Sequence, residues 1–451
     1  MSRCAPAPPG APAALPPSPV VADIEQFLCE AITTLTPAEP GPGQRGPGRP
    51  RVLPALCLWA GLLVCVLHGF TSHLALWRLL TSRDCWRYPR VAISDQALYH
   101  RLARDGTGPL EHLFQHLSTL LAERLAPYSV TTLAAFATGV YALDQTTLDQ
   151  VARLLPALQT VPAGAAALLP GALAGLFDLR RQQWARVEYL ADPRQNEKVA
   201  AREMVAGLPV GSLILADLGY FGFAWFDALT DAASWWLSRL RAKTSYTLIH
   251  AYYQRGETLD AVVWLGAHRA DRAKHAVRLV QFRQGGTLYR YVTNVLDPTV
   301  LPMAEIARLY ARRWDIELAF NLVKTHLGLH LLWGAKPVVV LQQVWAVFII
   351  AQVLQALRLE IAGRAGGDPY EVSLPLLVEY LPFLAARGLD PVTVFVEQGR
   401  ALRFIRPSSR TVIVAPELPP DELAPLPPGV VLLRPPRYAQ RKCGPRAATA
   451  A

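Results

Sequence analysis

The stretch Gly211-Ser-Leu-Ile-Leu-Ala-Asp217 decides the fold, because it is a short apolar run that stops at a carboxylate. A run of this length and composition predicts a buried β-strand. Upstream, Val140-Tyr-Ala-Leu-Asp144 has the same form and predicts a second strand that ends in a carboxylate. Two such strands favour an α/β protein with acidic side chains at the edge of a sheet.

The segments between these two strands supply the rest of a sheet. Residues 171–179 and 184–190 predict two further strands, joined by the polar turn at 180–183. Residues 196–206 (NEKVAAREMVA) predict an amphipathic helix. The resulting order is β-β-β-α-β, with one Asp after the first strand and one after the fourth. This order indicates a ribonuclease-H-like α/β domain.

A β-rich insertion follows the second Asp. Four runs, TSYTLIHAYY, AVVWLGAH, AVRLVQFR and TLYRYVTNV, predict strands between about residues 245 and 300. Gln284-Gly285-Gly286 predicts a hairpin turn between the last two. Trp235 and Trp236, which precede the insertion, are predicted to be core residues.

A long helix is expected to begin near Pro302 and to contain Tyr310-Ala-Arg-Arg-Trp-Asp-Ile-Glu-Leu-Ala-Phe-Asn-Leu-Val-Lys324. At 100° per residue, one arc of roughly 60° holds Tyr310, Arg313, Glu317 and Lys324. An apolar arc adjoins it. Arg312, Asp315 and His326 are expected on the far side, so that Arg312→Ala should change little. Glu317 is thereby predicted to face the two strand-end carboxylates.

The remaining segments give the predicted domain organisation. Ser94 is expected to cap a helix within an all-helical N-terminal domain, which could bind DNA or serve only in packing. The Pro-rich, basic tail is expected to be mobile. The predicted divisions are a disordered segment 1–22, a helical domain 23–125, a catalytic domain 126–244 and 301–400, a β insertion 245–300, and a tail 401–451.

Composition and charge narrow the function. The chain has 451 residues, 52% of them hydrophobic, which excludes wholesale disorder. Its formal charge is +10, and only six of its 45 basic residues are Lys. An excess of basic over acidic residues, with most of the basic residues being Arg, suits a polyanionic partner. Coding bias in a GC-rich genome explains the Arg content equally well. The six cysteines are scattered without a C-x-x-C pair, which suits a reducing cytosol.

A membrane protein is the remote alternative. The apolar run 52–67 has 16 residues, fewer than the ~20 that a spanning helix needs. The run 338–357 contains Gln342, Gln343, Gln352 and Gln355, as expected for one wet face of a core helix. The Pro/Ala-rich N-terminus is a poor signal peptide. Both runs are therefore predicted to be core helices.

The Y-x₂-R-x₃-E-x₆-K pattern formed by Tyr310, Arg313, Glu317 and Lys324 resembles the signature of DDE transposases of bacterial insertion sequences, the insertion-sequence-four family. Supporting matches are the segments 217–221 (DLGYF), 291–298 (YVTNVLDP) and 313–317 (RWDIE). The resemblance covers about residues 94–360, and the β insertion falls where the family has it. It implies a catalytic triad of Asp144, Asp217 and Glu317.

One position departs from the family pattern. The first Asp of these enzymes is usually followed by a small residue and then Thr, whereas Asp144 is followed by Gln145 and then Thr146-Thr147. Asp149 is a rival first carboxylate, but it lies beyond the apolar strand. Asp144 is therefore the preferred candidate.

Three carboxylates are suited to binding metal ions. Two Mg²⁺ ions ~3.5–4 Å apart can activate water and stabilise the departing oxygen of a phosphodiester, and hard cations prefer oxygen ligands. Mn²⁺ is expected to substitute. The sequence has no zinc-ligand spacing and no phosphate-binding loop of the G-x-x-x-x-G-K-[ST] type, so no nucleotide cofactor is expected. Singly, each carboxylate could equally be a surface charge or a helix cap.

The family resemblance also implies DNA contacts. Tyr310, Arg313 and Lys324 are implied to hold the strand at the transposon end, although they could instead make structural contacts. The insertion is implied to offer an aromatic residue to a flipped base. Tyr289 is the candidate, and Tyr291 and Trp264 are rivals.

The predicted function is cut-and-paste DNA transposition in the bacterial cytoplasm, in association with the nucleoid. The predicted partners are double-stranded DNA, as transposon ends and as target, and a second copy of the chain when bound to DNA. No membrane partner is expected. The alternative within the same family is a catalytically silent or host-adapted relative that binds DNA without cutting it.

Overall fold

The computed structural model of the chain describes residues 52–85, 88–130, 132–148, 171–193, 195–266, 272–334, 336–408, 410 and 412–434. The rival carboxylate Asp149 and the predicted disordered segment 1–22 lie outside these residues. The chain divides into two units. The first unit takes the described residues of Met1–Thr131, Asp144–Asn196 and Trp314–Thr411, and the second takes those of Thr132–Leu143, Glu197–Arg313 and Val412–Ala451.

The secondary structure of the described residues alternates between helical and β-rich stretches. The strands are β1 (Val140–Leu148), β2 (Gly171–Asp178), β3 (Gln183–Leu190), β4 (Leu213–Ala216), β5 (Trp235–Arg239), β6 (Tyr246–Arg255), β7 (Thr258–Leu265), β8 (Val277–Gln284) and β9 (Thr287–Thr293). The helices are α1 (Ala55–Leu67), α2 (His73–Ser82), α3 (Asp95–Asp105), α4 (Gly108–Arg124), α5 (Glu197–Val205), α6 (Phe223–Asp231), α7 (Met303–Arg312), α8 (Asp315–Asn321), α9 (Pro337–Ala365), α10 (Leu374–Ala386) and α11 (Pro391–Gln398).

The sheet has the connectivity expected of a ribonuclease-H-like domain. In the first unit the strand order is β3-β2-β1, and β2 and β3 form an antiparallel hairpin. In the second unit the order is β1-β4-β5-β9-β8-β7-β6, and β1 runs through both units. The pairs β1–β4 and β4–β5 are parallel, and every later pair is antiparallel. The predicted α/β fold class, with its β insertion, is confirmed.

The region before the sheet is helical, as predicted. The hydroxyl of Ser94 accepts a hydrogen bond from the backbone N–H of Ala97 at 3.2 Å, so Ser94 caps the start of α3. Helix α1 is almost wholly buried, as expected for a core helix.

Two strands differ from their predicted extent. β1 continues to Leu148, so Asp144 lies within the strand rather than at its end. The β-branched residues Thr146 and Thr147 favour this extended conformation. β5 was not predicted, because its apolar run is only three residues long, 235–237, and so short a run is ambiguous by periodicity alone. Its Trp236 is 1% exposed and stacks on Phe226 at 4.0 Å, which makes it a core residue as expected.

The long helix expected after Pro302 is divided. α7 ends at Arg312, α8 begins at Asp315, and the chain then forms a π-helical turn over Leu322–His326. A uniform 100° per residue therefore does not hold from Tyr310 to Lys324, because a π turn contains more residues per turn than an α-helix and each residue advances by a smaller angle.

Helix α9 is the central helix of the first unit. By length and composition alone this helix could cross a membrane. However, 78% of its most apolar 18-residue segment is buried inside the protein. The prediction that four glutamines of this helix face solvent is wrong. Gln342, Gln343, Gln352 and Gln355 are each at most 1% exposed. Their amides bond to neighbouring backbone and side-chain groups, as buried polar groups must.

The C-terminal segment through Arg434 is docked rather than mobile, contrary to expectation. In the second unit, Val414 N–H donates to the side chain of Gln284 at 3.1 Å, and Ala424 N–H donates to the carbonyl of Tyr252 at 2.8 Å. Leu423, Leu426 and Leu432 pack against a buried cluster around Tyr252. The segment therefore covers an apolar part of the β insertion.

Gln352→Met should lower the stability of the first unit. The Gln352 amide accepts from Trp184 N–H at 2.9 Å and donates to the Trp184 carbonyl at 3.0 Å. Methionine would leave both buried groups unpaired, at ~1–3 kcal/mol each. We expect urea denaturation to show a free energy of unfolding lower by about 2–6 kcal/mol.

Gln115→Met provides the matched control, because Gln115 is exposed on α4. Equal losses in the two variants would contradict this account of Gln352.

Candidate active site

An open cavity of about 430 Å³ in the first unit contains three of the predicted site residues. Asp144, Glu317 and Lys324 all line it, and the first two bring carboxylates into the same space. The other lining residues are Gln145, Thr146, Phe320, Asn321 and Thr325. The polar atoms that line the cavity are therefore mainly oxygens, together with the ammonium group of Lys324.

Lys324 ties the π turn to the strand that carries Asp144. Its ammonium donates to the hydroxyl of Thr146 at 3.3 Å and to the carbonyl of Thr147 at 3.0 Å. The N–H of Gln145 donates to Asp144 Oδ1 at 2.8 Å. Gln145, the departure from the family pattern, thus lies in the cavity wall and orients the Asp144 carboxylate through its backbone.

The helix that carries Glu317 packs on the β2–β3 hairpin. The ring of Phe320 lies 4.7 Å from that of Trp184, which is fully buried. A Cβ atom at Gly175 would approach Trp184 to 2.5 Å and Phe320 to 2.9 Å. Since real Cβ atoms essentially never come so close, only glycine lets the helix lie against the hairpin here.

The second unit holds Asp217 at the end of a parallel strand pair. Leu143 of β1 lies opposite Ala216 of β4, and Asp144 and Asp217 are the next residues in the sequence. The Asp217 side chain is 45% exposed, and its Oδ1 lies 4.0 Å from Nε of Arg313. The Arg313 side chain is only 10% exposed, so it reaches the carboxylate from a buried position.

The loop after Asp217 is held by helix α5. The ammonium of Lys198 donates to the carbonyl of Phe221 at 2.9 Å. A Cβ at Gly219 would approach the Glu197 carboxylate to 2.6 Å, and one at Gly222 would approach the Lys198 ammonium to 3.0 Å. The side-chain ends of Glu197 and Lys198 therefore lie directly against the glycines of this loop.

A row of aromatic rings on β8, β9 and α7 leads to Arg313. Tyr289 stacks on Phe282 at 5.5 Å, and its ring lies 6.3 Å from that of Tyr291, which lies 5.0 Å from that of Tyr310. Tyr291 is 1% exposed and is a core residue, whereas Tyr289 is half-buried. The other rival, Trp264, lies under the guanidinium of Arg434 at 4.9 Å.

Burial controls the ionisation of the two inner tyrosines. It raises the pKa of Tyr310 to about 12, against a smaller opposing effect from the nearby Arg313. It also raises the pKa of Tyr291. Tyr310 therefore remains a neutral phenol at every ordinary working pH, able to donate a hydrogen bond to an anion.

The predicted site residues fall into two groups. Asp144, Glu317 and Lys324 share the cavity of the first unit, and Asp217, Arg313, Tyr310 and Tyr289 belong to the second. Among the residues that the structure describes, no three His, Cys, Asp or Glu side chains are grouped closely enough to hold one metal ion. The cavity lining nevertheless suits Mg²⁺ or Mn²⁺, because its carboxylate, hydroxyl and amide oxygens are hard ligands and it contains no Cys, Met or His.

The expected far side of the predicted helix is not an inert surface. Arg312 is 8% exposed, the same as Arg313, so Arg312 does not lie on a solvent-facing side of the helix. Asp315 is fully buried and accepts hydrogen bonds from Gln182 and Arg410. Helical spacing alone could not identify these partners, because they come from distant parts of the chain.

Part of the chain matches a known protein family. Residues 176–353 match the family described as "Transposase DDE domain". This segment includes Asp217, Tyr310, Arg313, Glu317 and Lys324, whereas Asp144 lies before it. The predicted resemblance to DDE transposases of insertion sequences is confirmed over the matched segment.

Two curated relatives are insertion-sequence or putative transposases. The chain is 23% identical over 185 residues to transposase InsG of insertion sequence element IS4 from Escherichia coli, covering 39% of this chain and 41% of the relative. It is 26% identical over 196 residues to the putative transposase y4zB of Sinorhizobium fredii, covering 42% and 51%. The matched part of the chain thus spans about half, or less, of these relatives.

One solved structure covers more of the chain at low similarity. The piggyBac transposase synaptic complex with hairpin DNA aligns with 86% of this chain and 83% of its own, at 8% identity and a TM-score of 0.39.

Tyr310→Phe should make the protein less sensitive to alkali. The folded-state pKa of Tyr310 is raised to about 12 from an ordinary value of 10.0. The folded state holds this proton more tightly than the unfolded chain, so the stabilising contribution is complete below pH 10 and declines as pH rises through 12. We expect the loss of stability across that window, measured by urea denaturation, to be smaller in the variant.

Tyr246→Phe is the control, because Tyr246 is exposed in the same unit. An unchanged alkaline slope in Tyr310→Phe would rule out this role of the buried phenol.

Proposed function

We propose that the chain is a DNA transposase. It binds the terminal inverted repeats of its insertion sequence and carries out Mg²⁺-dependent strand cleavage and strand transfer by a cut-and-paste route. The observation that carries the proposal is the cavity shared by Asp144, Glu317 and Lys324, in a chain that matches a transposase DDE domain.

Asp144, Asp217 and Glu317 are proposed to hold the metal ions. The parallel register of Leu143 with Ala216 supports the first two, because successive residues of parallel strands advance toward the same edge of a sheet. When bound, two Mg²⁺ ions would supply water activation and stabilisation of the leaving oxygen. Mn²⁺ is expected to serve in their place, since both ions accept oxygen ligands.

The remaining site residues are proposed to hold the DNA strand. The Arg313 guanidinium can bond a phosphate in a fork, and the neutral phenol of Tyr310 beside it can donate a further hydrogen bond. Lys324 supplies a positive charge in the cavity that holds Asp144 and Glu317. Tyr289, the half-buried end of the aromatic row, is proposed to stack on a flipped base.

The partners follow from this chemistry. We propose that the protein acts on double-stranded DNA, as transposon ends and as target, and forms a homodimer when bound to it. The formal charge of +10 supports a polyanionic partner. No nucleotide cofactor is required, and the proposed location is the bacterial cytoplasm in association with the nucleoid.

Replacing any one of Asp144, Asp217 and Glu317 with its amide should abolish cleavage but retain DNA binding. Asparagine and glutamine keep the side-chain shape and remove the charge that holds a cation. We expect cleavage of a duplex that ends in the repeat flanking the gene to fall by at least ~100-fold, since even outer-shell changes at metal sites cost 10–100-fold.

Wild-type protein with EDTA is the matched control and should lose cleavage to the same degree. Asp192→Asn, at an exposed carboxylate after β3, should cleave normally. Wild-type cleavage by Glu317→Gln, or full activity in excess chelator, would refute the proposed chemistry. A catalytically silent, DNA-binding relative would bind the duplex and never cut it.

Arg313→Ala should weaken binding of the same duplex without removing the carboxylates. Loss of a charge-assisted fork is expected to cost about 1.5–3 kcal/mol. The dependence of log affinity on log salt should become shallower by about one unit, because one fewer phosphate is neutralised. Fluorescence anisotropy over a salt series measures both quantities.

Arg308→Ala is the control for this measurement. Arg308 lies on α7, the helix that ends immediately before Arg313, and its side chain is 67% exposed. Equal effects of the two variants would exclude a specific role for Arg313.

A further inference from the structure

A buried polar cluster surrounds the start of the helix that carries Glu317. The Asp315 cluster consists of Asp315, Gln182, Tyr370, Arg358 and Arg410, all in the first unit. Asp315, the first residue of α8, is fully buried. One carboxylate oxygen accepts from the Arg410 guanidinium, and the other accepts from the Gln182 amide at 3.2 Å.

Tyr370 links the members of this cluster. The guanidinium carbons of Arg410 and Arg358 lie 3.7 and 3.8 Å from the centre of its ring. Two guanidiniums at that distance cannot occupy the same face, so the ring is sandwiched between them. The Tyr370 hydroxyl donates to the Gln182 side-chain oxygen at 2.7 Å. Arg410 therefore contacts Asp315 directly and is also connected to it through Tyr370 and Gln182.

Gln182 adopts a backbone conformation that non-glycine residues avoid. Its φ is +55° in the β2–β3 turn, and its side chain is fully buried. Such left-handed residues persist only where the surroundings determine them, and they concentrate at functional sites. Its amide donates both to Asp315 and to the carbonyl of Leu179 at 2.9 Å. The turn is therefore shaped so as to present an amide to Asp315.

Stability alone does not account for this cluster. Buried ion pairs are often replaceable by apolar residues at no loss of stability, because desolvation offsets their attraction. A satisfied polar network, in contrast, rigidifies its members in one arrangement. Here that arrangement fixes the first turn of α8, two residues before Glu317.

We propose that Asp315 is a positioning residue, which through Gln182, Tyr370 and Arg410 sets the place of the Glu317 carboxylate in the cavity. This inference rests on the proposed function. It deepens that function by naming what enforces the geometry of the metal ligand. Mg²⁺ demands near-ideal octahedral geometry, so a displaced Glu317 should impair use of Mg²⁺ first.

The test compares Arg410→Gln and Tyr370→Phe with wild type. Electron paramagnetic resonance of free Mn²⁺ measures Mn²⁺ affinity for each protein bound to a pre-cleaved duplex. We expect both variants to bind Mn²⁺ more weakly, by about 10-fold for Arg410→Gln, within the range for outer-shell changes. The ratio of cleavage rates in Mg²⁺ and Mn²⁺ should fall in both.

Asp260→Asn is the matched control. Asp260 and Arg278 form a buried pair in the second unit, with bonds of 2.7 and 2.6 Å. Breaking it should lower thermal stability and leave both metal readouts unchanged. If Asp260→Asn changed Mn²⁺ affinity and metal preference as much as the cluster variants do, the changes would reflect a general loss of stability, and the proposal would be overturned.

Failure of the inference is distinguishable from failure of the proposed function. If Glu317→Gln loses cleavage while both cluster variants keep wild-type Mn²⁺ affinity and metal preference, the positioning role alone is wrong. If Glu317→Gln cleaves normally, or wild-type protein binds no Mn²⁺, the proposed function fails and the inference with it.

Discussion

The packing around Trp184 is the interaction on which the first unit depends. This fully buried ring contacts Phe177 within the hairpin, Phe320 on the helix of Glu317, and Phe348 on the central helix, at centroid distances of 5.1, 4.7 and 5.2 Å. Its backbone is held by Gln352 of the same central helix. One residue thus joins the hairpin, the core and the element that carries the candidate metal ligand.

In the second unit, the parallel strand pair has the corresponding role. Pairing of β1 with β4 stops at Leu143 and Ala216, and a candidate ligand is the next residue after each of them. Beside Asp217, buried Arg313 and the neutral phenol of Tyr310 add donors in a region of low exposure. Charged donors that are partly shielded from water interact more strongly with a phosphate than exposed ones do. This arrangement suits the proposed contact with a DNA phosphate.

The sequence predicted the elements with strong local patterns. The strands of the insertion, the hairpin glycines, the cap at Ser94 and the strand before Asp217 all depend on neighbouring residues, and local chemistry determines them. The break after Arg312, the buried amides of α9 and the partners of Asp315 depend on distant contacts. Gln182 is 133 residues from Asp315, so no spacing rule could link them. For the same reason, the sequence indicated Glu317 but not what holds it.

We propose that carboxylate-bound metal, rather than a protein nucleophile, drives DNA cleavage. The most direct measurement is the chemistry of the cut ends, after incubation of the protein with Mg²⁺ and a labelled duplex that spans the element boundary. Attack by water predicts a nick at the boundary that leaves a 3′-OH extendable by a polymerase, with no protein attached to DNA. A covalent protein–DNA adduct, as formed by a tyrosine nucleophile, or an intact duplex would contradict the account.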